Sequence, residues 1–131
     1  PTAGVVAVEA RMHLVAFNVK ISTSDVTIAN NIAKIIRVSS GGFKYCKGIG
    51  VMLEERNVAQ VSMNMVNYEG TPLYRVFEMI RVEAARYGVH IIGSEVIGLT
   101  PAKALVDCAE YYLQIEAFDY KKQVLENHIL G

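Results

Sequence analysis

Hydrophobic and polar positions alternate along this chain with two periods, and the switches between them lay out its elements. Residues 1–10 are small and apolar without a helical period, an extended entry. His13 to Ile21 is β-branched and aromatic over strand length. Thr23, Ser24 and Asp25 supply N-cap chemistry, and Ile28, Ala29, Ile32, Ile35 and Ile36 then recur at helical spacing until Ser39–Gly42 breaks the run. Tyr45 to Leu53 reads as a second strand, loosened by Gly48 and Gly50. A polar turn at 54–57 leads to Val58–Val66, where apolar and polar residues alternate strictly. Thr71-Pro72 opens a second helix with the stripe Leu73, Val76, Phe77, Ile80, Ala84 and Tyr87, and Gly88 stops it. Val89 to Glu95 is a fourth strand. Thr100-Pro101 repeats the cap-and-proline start, with Ala104, Leu105, Cys108, Ala109 and Tyr112 facing inward, and Asp119 starts a last helix to about Leu130.

The order strand, helix, strand, strand, helix, strand predicts an α/β (α+β) domain of ferredoxin-like βαββαβ type, with C-terminal helices appended. Right-handed crossovers place both principal helices on one face of a mixed four-stranded sheet and leave the other face bare. No linker, repeat or low-complexity run interrupts it, so residues 1–131 form one domain.

Alternation also says what the bare face carries. An apolar helix stripe needs an apolar floor, so Ala59, Val61, Met63 and Met65 face the helices and Gln60, Ser62 and Asn64 point away. Asn18, with Ala16 and Leu14, takes the corresponding side of the first strand, and Gly93 and Glu95 share a side of the fourth. Amides that both donate and accept suit a ligand with polar ring edges or an amide tail. The plainer alternative is a solvated face, with the Glu95 carboxylate satisfying backbone donors in the loop that follows.

Composition narrows the classes. Thirteen Lys and Arg balance thirteen Asp and Glu, which removes the electrostatic case for nucleic acid or an anionic membrane. RNA-binding domains of this topology stack bases on aromatic residues of the two central strands, whereas Gln60, Ser62 and Asn64 occupy those positions here. With 52% hydrophobic residues, part of the surface is expected to be covered by another body, and the bare chain to self-associate as a homo-oligomer. Cys46 and Cys108 lack metal or redox spacing and read as reduced thiols of a cytoplasmic protein. No apolar run is long enough to span a bilayer, and no secretory leader is recognisable. The chain begins at Pro1 rather than Met, as a processed product or a piece of a longer protein would. His13, His90 and His128 share no spacing with an acidic partner, so no catalytic or metal-ligating residue is assigned. Neither Ser39–Gly42 nor Gly48-Ile49-Gly50 forms a phosphate-cradling loop.

Four strings carry a more specific pattern: Leu14-Val-Ala-Phe-Asn18, Ala59-Gln-Val-Ser-Met-Asn64, Gly93-Ser-Glu-Val-Ile-Gly98 and Pro101-Ala-Lys-Ala-Leu105. Together, across roughly Pro1 to Phe118, the chain resembles the C-terminal subdomain of glutamate formiminotransferase, the transferase portion of formiminotransferase-cyclodeaminase. The resemblance implies transfer of a formimino group from N-formimino-L-glutamate to tetrahydrofolate, a co-substrate, in histidine catabolism. It also implies a partner N-terminal half whose sheet faces this one across a folate tunnel and which holds the family's catalytic histidine. None of the three histidines here matches it. On this footing Asn18, Gln60, Ser62, Asn64 and Glu95 are the expected folate-site wall. Thr2 and Gly4 are expected pterin or benzoyl contacts, and Arg11 and Lys20 cations that steer the folate carboxylates. The alternative is a small-molecule-sensing or dimerisation module without catalytic activity.

Overall fold

The computed structural model describes residues 14–37 and 41–129. Its elements are β1 (Val15–Ile21), α1 (Val26–Ile36), β2 (Cys46–Leu53), β3 (Val58–Met65), α2 (Leu73–Ala85) and β4 (Ile91–Ile97), followed by α3 (Ala102–Leu113), α4 (Tyr120–Gln123) and α5 (Leu125–Ile129). This is the expected βαββαβ order. The strands lie side by side as β2-β3-β1-β4. One detail differs from the mixed sheet expected: β1 and β2 do run parallel, but β3 lies between them, so every ladder is antiparallel.

The helices pack where the apolar rows require. Val15, Phe17, Val19 and Ile21 of β1 and Ala59, Val61, Met63 and Met65 of β3 join Ala29, Ile32, Ala33 and Ile36 of α1 and Leu73, Val76, Ile80 and Ala84 of α2 in one buried core. Asp25 caps α1, its carboxylate accepting from the Thr27 amide at 2.9 Å. Gly50 lets α1 lie almost on the backbone of β2, and its N–H donates to Asn30 Oδ1 at 3.0 Å. A Cβ there would meet the Asn30 backbone nitrogen at 2.5 Å.

Beyond the core several expectations fail, each for a local reason. Thr71 does not cap α2; its hydroxyl donates to the Lys44 carbonyl and ties the helix start to the loop before β2. Thr100 does not cap α3 either, and Pro101 occupies the cap position without a side-chain bond. The fourth strand begins at Ile91 rather than Val89, because the left-handed Gly88 and the Ser22 N–H bond to the His90 carbonyl carry the chain past the helix first. Of the five residues expected to face inward from α3, only Ala104 is fully buried; Leu105, Ala109 and Tyr112 are exposed, because α3 lies against α2 rather than over the sheet. Tyr87 is likewise exposed, beyond the end of α2. Asp119 does cap a turn, accepting from Lys122 N, but the last helix breaks at Val124 into α4 and α5.

Candidate ligand-binding face

On the sheet face away from the core, the pairing registers line up three transverse rows, with strands about 4.8 Å apart. The middle row reads Ile49, Ser62, Asn18, Glu95 from β2 to β4. The row toward the 54–57 turn reads Val51, Gln60, Lys20, Gly93, and the row on the other side Lys47, Asn64, Ala16, Ile97. Asn18, Gln60, Ser62, Asn64 and Glu95, chosen from alternation alone, thus share one surface on the side opposite the helix-facing rows. Thr2, Gly4 and Arg11 lie outside the described residues.

The rows differ in depth. Gln60 and Lys20 retain only 5% and 8% of their exposure. Ser62 and Asn18 are half-buried, Asn64 is exposed, and the Glu95 side chain keeps 46%. The deep row supports the shallow one. Gln60 Nε2 donates to Ser62 Oγ at 2.8 Å, while Gln60 Oε1 is buried with no partner among the described residues. Lys20 Nζ lies 3.3 Å from Glu95 Oε1, and Asn18 Nδ2 donates to the same oxygen at 3.3 Å. Lys20 is therefore a buried, ion-paired support, not the exposed steering cation expected from its place near the strand end. Glu95 is bound by side chains across the sheet; the alternative in which it served the following loop is not what is observed. The Asn18 hydrogen bond, followed by that of Lys20, holds the Glu95 carboxyl below the usual carboxylate range.

His90 Nδ1 lies 3.1 Å from Ser22 Oγ, His128 Nε2 is 2.6 Å from the Lys122 carbonyl, and His13 lies outside the described residues. Among the described residues, no three His, Cys, Asp or Glu side chains gather as a metal would require. Cys46 and Cys108 are free thiols, and burial pushes Cys46 up to about 11, which keeps it protonated and inert. No described helix is long and apolar enough to cross a membrane.

A recess of about 1080 Å³ lies elsewhere, between α3 and the C-terminal turns. Its rim holds Lys103 and Asp107, already paired at 3.0 Å, and it is wide open, so we attach no function to its size. A single sheet face holds a small molecule only when a second wall closes over it. Alternation revealed which residues share this face. Parity with Asn18 puts Lys20 on the same face, but its burial was not legible, because a long cation near a strand end reads as solvated.

Residues 16–129 match the model of the formiminotransferase domain. The whole chain is 71% identical to the glutamate formimidoyltransferase of Streptococcus pyogenes serotype M1, spanning 44% of that protein. It is 46% identical over 117 residues to the glutamate formimidoyltransferase of Thermoplasma acidophilum, 39% of whose length it covers. It is 37% identical over 122 residues to the chicken formimidoyltransferase-cyclodeaminase, covering 22% of that protein. The chain thus spans less than half the length of these relatives.

Proposed function

The chain belongs to the formiminotransferase domain family, and on that premise we propose that its polar sheet face is one wall of a folate site in an enzyme that moves a formimino group from N-formimino-L-glutamate to tetrahydrofolate. The observation that carries this reading is the gathering of Ser62, Asn18 and Glu95 into one row clear of the helices, flanked by apolar Ile49, Val51 and Ile97. A flat heterocycle rests against such a surface with its rim hydrogen-bonded to the row.

The reaction joins an amine to an amidine-like carbon through a tetrahedral intermediate, and glutamate departs. It needs two substrates held in attack geometry and a proton carrier. This chain supplies the holding, and a facing N-terminal half supplies the acid–base group. Asn64 with Lys47 beside it receives the anionic tail. Free thiols suit a reducing, cytoplasmic setting.

Two results are expected. The isolated chain should show little or no formimino transfer, measured by formation of formimino-tetrahydrofolate; ordinary rates would place the chemistry within these residues. In the full-length protein, Asn64→Ala should weaken tetrahydrofolate binding roughly five- to tenfold, the size of one lost polar contact, with unchanged thermal unfolding. The exposed Ile49 and Ile97 favour a second reading, pairing of this face with another copy. On that reading Asn64→Ala alters the oligomeric state seen by sedimentation and leaves folate binding alone.

A further inference from the structure

Helix α3 carries its charged and apolar sectors the wrong way round for a surface helix. Ala104 is buried, Cys108 is half-buried, and Tyr111 stacks on Tyr74 of α2 with ring centroids 4.2 Å apart. The charged sector, Lys103, Asp107 and Glu110, is half-buried too: Lys103 pairs with Asp107 at 3.0 Å and lies over the Tyr120 ring of the C-terminal turns. The third sector is Leu105, Val106, Ala109, Tyr112 and Leu113. It holds no charge, yet all but Val106 are exposed, Leu113 by 70%. A solvated helix shows the reverse distribution. Leu105 and Tyr112 also line an apolar cleft of about 290 Å³, shared with Phe77 of α2 and Val96 of β4, so the uncovered surface extends past α3 itself. Such a contiguous apolar surface marks a contact that one chain does not supply.

The exposed sector is symmetric about Ala109. Three and four positions before it stand Val106 and Leu105; three and four after it stand Tyr112 and Leu113. A two-fold axis through Ala109 sets two such helices antiparallel, so that Leu105 of each copy meets Leu113 of the other and Val106 meets Tyr112. The small side chain then falls on the axis, where the helices approach closest, about 8 Å between their axes. Charges at the rim are already satisfied: Glu78 accepts from the Tyr112 hydroxyl at 2.6 Å and pairs with Arg81 at 3.3 Å. We infer that α3 is a homodimer interface, packed antiparallel on α3 of a second copy about Ala109. On the folate reading the N-terminal half lies across the sheet from α3, which leaves this sector to a second copy; the inference rests on that reading to this extent.

The test uses the full-length protein. Sedimentation at micromolar concentration should show a dimer. Leu105→Glu places a charge in the contact and Ala109→Arg holds the helices apart, and each should raise the dissociation constant at least about tenfold with unchanged circular dichroism. In a Cys108→Ser background, Ala109→Cys should link two subunits by a disulfide under mild oxidation, since on-axis positions come within bonding range. Ala102→Cys, exposed at the start of the same helix, should not link, because antiparallel copies hold that position about 21 Å from its counterpart. A monomeric unaltered protein, a dimer that survives both α3 substitutions, or equal linking at Ala102 and Ala109 would overturn the inference. So would dissociation by Asn64→Ala instead, which would assign pairing to the polar sheet face. Tetrahydrofolate affinity, measured by calorimetry on the same samples, decides the folate reading separately.

Discussion

Valine in place of Gly50 should cost this domain about 3 kcal/mol and lower its melting temperature by roughly 10 °C. A Cβ at this position lies 2.5 Å from the Asn30 nitrogen, 2.8 Å from the Ala29 carbonyl carbon and 2.8 Å from Asn30 Oδ1. Two of these atoms are helix backbone and cannot swing aside, so α1 must lift from β2. Lifting it exposes Ile32 and Ile36, which are fully buried, and breaks the Gly50 N–H bond to Asn30. Gly93→Ala is the matched control, since a Cβ there meets nothing within 4 Å. Thermal and urea unfolding of both variants decides the matter. Equal stability would mean that α1 rides on β2 with more slack than the contacts imply.

The second large effect is on binding. Glu95→Gln in the full-length protein should weaken tetrahydrofolate binding roughly ten- to a hundredfold, because a charge-assisted acceptor at the end of the row becomes a neutral amide that also donates. The pH dependence carries the same signature. The Glu95 carboxyl is held low, chiefly by Asn18 and then by Lys20. Its ionised form is thus favoured in the folded state. The stability this gives is present above the ordinary carboxylate range and is lost as pH falls through the lowered value. Its contribution to ligand binding should follow the same course: constant from neutrality down through the ordinary range, declining only below it. Replacing Lys20 by methionine should move that decline upward in pH. Binding that fades already near neutrality would show that some other group controls it.

Most of the architecture was legible because it rests on period. Strict alternation in Val58–Met65 assigned both faces of β3, and the stripe of α1 located its floor. What failed depended on partners that no single segment reveals. Thr71 and Thr100 have the right residue type for caps, yet Thr71 is claimed by the distant Lys44 carbonyl. The apolar positions of α3 fit an inward stripe, but the element they meet is another helix, so Leu105 and Tyr112 keep about half their exposure. The site divides in the same way. Its members were readable from side-chain parity. The division between the buried pair, Lys20 and Gln60, and the presented trio, Ser62, Asn18 and Glu95, was not, because it depends on one contact along β3 and two between β1 and β4.

Gln60 and Ser62 sit two positions apart on a single strand whose neighbours clamp it on both sides. A pair held on a strand with a ladder on either side cannot shift without moving the whole sheet, so this part of the surface keeps its shape when the helices on the far side adjust.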